Sequence, residues 1–70
     1  MAEVLSPITG SVFRIEVAIG DAVAELDVLA IIESMKLEIP VETEVAGTVQ
    51  EIHVAEGTAV GEGDIMFTVA

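Results

Sequence analysis

Shifting the chain against itself by 37 positions sets Gly10 on Gly47, Val12 on Val49, Ile15 on Ile52, Val17 on Val54, Ala18 on Ala55 and Gly20 on Gly57. The same register pairs Ala22 with Ala59, Val23 with Val60, Glu25 with Glu62 and Asp27 with Asp64, and makes conservative pairs of Ser11/Thr48, Val28/Ile65, Leu29/Met66 and Ile32/Val69. Glycines mark turns and apolar residues mark buried faces. A repeat that keeps both predicts two half-domains with the same turns and the same inward faces, related by an approximate two-fold.

The repeated unit reads as short strands. Ser11 to Val17 and Thr48 to Val54 are rich in β-branched residues and mostly alternate, with Ile15, Val17, Ile52 and Val54 facing inward. Val12 and Val49 break that alternation at the same place in each half, which predicts a bulge or bend in both strands. Ile19-Gly20-Asp21 and Glu56-Gly57-Thr58 are turn signals. Val28 to Glu33 and Leu37 to Val41 predict a hairpin, with Pro40 near a strand edge. Strands near Glu3 to Leu5 and Ile65 to Val69 complete the set, and no segment has a helical period with caps. The fold expected is all-β, one domain over residues 1–70: a flattened antiparallel β-barrel or sandwich of two small sheets with pseudo-two-fold symmetry.

Charge and composition then exclude whole classes of partner. Thirteen acidic residues against Arg14 and Lys36 give a net charge of −11, which repels nucleic acid and anionic membrane. The only aromatics are Phe13 and Phe67, too few for a base-stacking surface. Cysteine is absent, so no disulfide framework or Cys-based metal site exists, and the absence fits a reducing compartment. The longest aliphatic run, Val28-Leu29-Ala30-Ile31-Ile32, is far short of a membrane span, and the N-terminus lacks the basic start and apolar stretch of a signal peptide. A cytoplasmic protein that contacts no membrane is the expectation.

Against this background Lys36 is singular: it is the only lysine, placed on the expected turn in Glu33-Ser34-Met35-Lys36-Leu37. One primary amine on a tight turn reads as an attachment point. The repeat also places it, because the 37-residue shift carries Glu33 onto Ala70 and Lys36 past the end of the chain. The lysine turn and the chain termini are therefore expected at equivalent positions on opposite ends of the domain. An ammonium is not a nucleophile, so acylation requires the neutral amine to attack an activated acyl group presented by an external ligase, such as an acyl-adenylate.

The Glu-Ser-Met-Lys-Leu hairpin, the Gly-Ser/Thr-Val strand and Gly-Asp/Thr turn in each half, and the two-fold repeat together resemble the biotinyl/lipoyl attachment domain family from about Val4 to Val69. Biotin carriers of that family typically show Met-Lys-Met or a close variant, whereas lipoyl carriers more often have an acidic residue before the lysine and alanine after it. Met35 and Leu37 match the biotin carriers better, with Leu37 a mild departure, and the chain lacks a thumb loop. The resemblance implies covalent biotin on Lys36, with lipoate as the alternative group, and a recognition motif of Glu33, Ser34, Met35 and Leu37. It also implies biotin protein ligase, biotin carboxylase and carboxyltransferase as partners. The attached group would carry a carboxyl group between the two active sites of an acyl-CoA or related carboxylase. The chain itself would be a non-catalytic carrier. An unmodified interaction module of the same fold is a further alternative.

No other residue competes for a chemical role. His53 alternates with Ile52 and Val54, is expected on a solvent face, and has no second His or Cys for a metal. Asp27 and Asp64 sit at equivalent repeat positions and read as turn residues or acceptors of backbone hydrogen bonds. Ser34 has no histidine at nucleophile spacing and reads as a turn residue. Arg14 is expected to pair with a nearby carboxylate on the surface, at little gain in stability. Catalytic and metal-binding residues are expected to be absent.

Overall fold

The computed structural model describes all residues from Met1 to Ala70. Eight strands run in chain order: β1 (Ala2–Leu5), β2 (Gly10–Ile15), β3 (Ala22–Val23), β4 (Val28–Ser34), β5 (Leu37–Glu42), β6 (Gly47–Ile52), β7 (Ala59–Val60) and β8 (Ile65–Val69). They form two four-stranded antiparallel sheets, ordered β1-β8-β6-β3 and β5-β4-β2-β7. The molecule measures 31 × 18 × 18 Å, longer in one direction than across. The chain is all-β, as the sequence pattern requires.

The repeat register is the symmetry of the fold. Adding 37 to β2 and β3 gives the bounds of β6 and β7, and the same shift lays β1 on β5 and β4 on β8. The core consists of six pairs in that register: Val4/Val41, Val12/Val49, Val23/Val60, Leu29/Met66, Ala30/Phe67 and Ile32/Val69. Ile15, Val17, Ile52 and Val54 are half-buried against it, facing inward as expected. The predicted bulge occurs in both halves, where pairing slips between Val12 and Arg14 in β2 and between Val49 and Glu51 in β6.

Two of the polar contacts repeat along with the core. The Ser6 hydroxyl donates to the Ile8 carbonyl at 2.7 Å and the Thr43 hydroxyl to the Val45 carbonyl at 2.8 Å. Both side chains are buried, and each satisfies its own loop instead of leaving an orphaned group in the core. The Asp27 and Asp64 carboxylates accept hydrogen bonds from the Ala24 and Gly61 N–H groups, both at 2.8 Å, so they are turn residues as expected.

The sequence pattern overextends two strands. Glu16 and Val17, and His53 and Val54, lie outside β2 and β6. Glu16 N–H makes one last bond to the Leu29 carbonyl and His53 N–H to the Met66 carbonyl, after which the chain turns away toward β3 and β7. Those two strands have only two residues each, too short for any period to reveal.

One turn breaks the symmetry of residue type while keeping the symmetry of backbone. Gly63 has φ +89°, and its repeat mate Leu26 has φ +74° although it carries a side chain that is 64% exposed. A left-handed leucine costs about 1–2 kcal/mol, and its exposed side chain recovers little of that by burial. Leu26→Gly is expected to stabilise the domain by about 0.5–1 kcal/mol after the entropy of the extra glycine is counted. A urea titration read by far-UV circular dichroism checks this, with a higher midpoint as the expected outcome.

Candidate functional site

Lys36 lies where β4 turns into β5. Ser34 pairs with Leu37 to close a two-residue connection, so Met35 and Lys36 are its central residues. Their φ angles are +52° and +67°, and positive values at both central positions define a type I′ turn. That turn matches the right-handed twist of the flanking strands, which is why a hairpin this tight adopts it. Asparagine and glycine are the residues suited to it. Methionine and lysine both pay the left-handed penalty, so the backbone at this turn is strained by about 1 kcal/mol per residue.

The turn is also exposed. Met35 is 92% and Leu37 64% exposed, and Lys36 is likewise on the surface. Arg14 pairs with Glu16 at 3.7 Å and His53 Nε2 lies 4.0 Å from a Glu51 carboxylate oxygen, whereas the Lys36 amine has no carboxylate partner. Two acids nevertheless stand close by along the chain: Glu33 and Glu38 face each other directly across β4 and β5. Like charges placed opposite one another weaken a strand pair, so local stability does not account for this arrangement.

The expected motif is thus assembled by one hairpin, which carries Glu33, Ser34, Met35, Lys36 and Leu37 together. Ser34 differs from the expectation in one respect: it is the last residue of β4 and not part of the turn itself. Its hydroxyl donates to the Thr9 carbonyl at 3.0 Å, and the Thr9 hydroxyl accepts from the Glu62 N–H at 3.1 Å. Between them Gly10 lets two backbones approach closely. A Cβ there would lie 2.6 Å from the Glu33 carbonyl oxygen and 2.8 Å from Ile32 Cγ2. The sequence reading missed Thr9, although the mismatch with its repeat mate Ala46, just before paired glycines, was a signal that could have found it.

Other candidates take structural roles. His53 is exposed, and its Nε2 lies 2.8 Å from the Thr68 hydroxyl. Arg14 pairs on the surface with Glu16 and lies 5.6 Å from the Phe13 ring centroid, contacts that are solvent-screened and weak. No group of three or more His, Cys, Asp or Glu side chains is placed to hold a metal ion. The surface hollows, the largest about 720 Å³, are lined by residues other than 33–37. No helix is long and apolar enough to cross a membrane.

Comparison with known proteins agrees with this geometry. The biotinyl/lipoyl family model described as "biotin-requiring enzyme" matches residues 2–69. The biotinylated protein TB7.3 homolog of Mycobacterium leprae is 41% identical over 71 residues, covering 100% of both chains. Among solved structures, the urea carboxylase of Kluyveromyces lactis superposes with a TM-score of 0.93 at 32% identity over 99% of this chain. A single-chain, multi-domain long-chain acyl-CoA carboxylase superposes at 0.88 with 22% identity over 99%, a likeness of fold. The chain spans only 6% and 7% of those two large chains.

The strain at the turn has a measurable consequence. Replacing Met35 and Lys36 together by Asn and Gly is expected to raise stability by about 1–2 kcal/mol, because that pair accepts positive φ at little cost. Denaturant unfolding of the M35N/K36G double variant checks it, and a midpoint at or below that of the parent would show that the turn is unstrained.

Proposed function

The chain belongs to the biotinyl/lipoyl attachment family, and we propose that within it the domain is a biotin carboxyl carrier whose Lys36 is the residue covalently biotinylated. The observation that carries this reading is the lysine itself: the only one in the chain, on an exposed two-residue turn, with no carboxylate partner to hold it. The "biotinylated" in the name of the full-length Mycobacterium leprae relative favours biotin over lipoate.

The chain's own residues do three things in this reading. The β4–β5 hairpin fixes the root of the side chain while leaving its amine free to enter a ligase. There Nζ forms an amide bond with an activated acyl carbon, losing a proton as the activating group departs. Met35 and Leu37, exposed on either side, offer apolar surface to that ligase and to later partners, with Glu33 and Ser34 completing the motif. Lastly, the domain keeps its cargo at high effective concentration between two active sites, which needs a stiff base and a flexible arm and no catalytic residue.

When bound, biotin supplies a ureido nitrogen that takes up a carboxyl group and gives it away again. The partners that follow are biotin protein ligase, biotin carboxylase and a carboxyltransferase acting on an acyl-CoA or related acceptor. A single domain over residues 1–70 suffices for this role, and the cysteine-free, strongly acidic composition suits a cytoplasmic carrier.

Coexpression with a biotin ligase followed by intact-mass measurement tests the proposal. The domain should gain the mass of one biotinyl group, Lys36→Arg should gain none, and coexpression with a lipoate ligase should leave the domain bare. Unmodified protein from the first experiment, or lipoylated protein from the third alone, would sink it.

A further inference from the structure

Thr9 stands one residue before β2, and three segments meet at it. Its carbonyl oxygen accepts the Ser34 hydroxyl at 3.0 Å, beside the turn that carries Lys36. Its own hydroxyl accepts the Glu62 N–H at 3.1 Å, in the turn between β7 and β8. Immediately after it, Gly10 passes so close to β4 that any side chain would strike the Glu33 carbonyl. Beyond the β2–β4 ladder, the base of the lysine turn is thus tied to the rest of the fold by side-chain bonds that converge on one residue lying in neither strand of the hairpin.

This fastening departs from the two-fold. The hydroxyl bonds of Ser6 and Thr43 and the carboxylate bonds of Asp27 and Asp64 recur in both halves. The repeat mate of Thr9 is Ala46, which has no hydroxyl to offer the turn at Glu25, and the mate of Ser34 falls beyond Ala70. The extra bonds therefore occur only at the end that presents the amine. They also meet a need there, since Met35 and Lys36 are held at φ +52° and +67° and a strained turn relaxes unless its surroundings over-determine it.

We propose that Thr9 is a positioning residue for the acylation of Lys36. Its hydroxyl pins the loop after β1 to the β7–β8 turn, and the pinned loop then holds Ser34 and with it the strained turn. Within the ligase complex the amine is then held in one orientation for attack instead of sampling the poses that a relaxed turn would allow. The inference rests on the reading of Lys36 as the acceptor, and the experiment separates the two.

The test is steady-state biotinylation of the purified, unmodified domain by a purified biotin ligase. It compares the parent with Thr9→Val, which keeps the shape and loses the hydroxyl, and with Thr9→Ser, which keeps the hydroxyl. Thr43→Val, which removes a hydroxyl bond from the other half, reports the effect of general loosening. Thr9→Val is expected to lower kcat about fivefold, the equivalent of one hydrogen bond, with KM little changed, and Thr9→Ser to restore it. Amide hydrogen exchange at the paired residues that flank the turn, Glu33, Ser34, Leu37 and Glu38, should quicken in Thr9→Val and not in Thr43→Val. A parent-like kcat in Thr9→Val overturns the proposal while leaving Lys36 as the acceptor, and an equal slowing by Thr43→Val overturns it as well. A parent domain that takes no biotin overturns the acceptor reading and this inference with it.

Discussion

The two halves of this domain are interlocked, and neither can bury its apolar face alone. Residues of the first half supply the inner strands β4 and β2 of one sheet and the outer strands β1 and β3 of the other; the second half does the reverse with β8 and β6, β5 and β7. Four of the six strand pairings join one half to the other. A seventy-residue chain without disulfides or metal has little margin, and exchanging strands makes one shared core out of two insufficient ones. Its six symmetric pairs of buried residues, from Val4/Val41 to Ile32/Val69, follow from that exchange.

Interlocking also determines where the lysine turn sits. β4 belongs to the first half and β5 to the second, so their hairpin is the direct covalent passage between repeats. At the equivalent place on the other end, Ala70 occupies the position of Glu33, its amide and carbonyl both bonded to Thr48, and the chain stops. A group attached at Lys36 is consequently rooted in both halves and lies at the far end from the termini. Most of the other pairings connect distant parts of the sequence, whereas this hairpin is local. The site is thus formed by the pairing that costs the least chain entropy to close.

What the sequence made legible were the features that repeat or that stand out by chemistry. The glycines and core valines at a spacing of 37 defined both halves, their bulges and the opposed ends. A solitary lysine between them marked the candidate site. What it hid had the opposite character. β3 and β7 are two residues long, the pairs Ala30/Phe67 and Ser6/Thr43 look unrelated as letters, and His53, just past β6, meets Thr68 of β8. The positive φ values at Leu26, Met35 and Lys36 were invisible because none of those residues prefers them, and only tertiary context imposes them. Thr9 differs in kind: its mismatch with Ala46 in the repeat marks the position, but its bonds reach Ser34 and Glu62, 25 and 53 residues away, so no local pattern names its partners.

The electrostatics of the tip follow from the same economy of residues. Arg14 is engaged with Glu16, which leaves Lys36 as the one lysine or arginine side chain without a carboxylate partner in a chain of net charge −11. Converting its amine to an amide removes one positive charge, and −11 less one gives −12. The cross-strand acids Glu33 and Glu38 then face each other with no cation left on the turn. The proposed acylation would therefore do more than lengthen a side chain. It would turn the end of the domain from a mixed tip into a uniformly anionic one, and long-range attraction to a cationic surface would grow accordingly, within the reach that salt allows. A partner with a basic rim would then favour the loaded domain over the bare one without touching the attached group, by the local field alone.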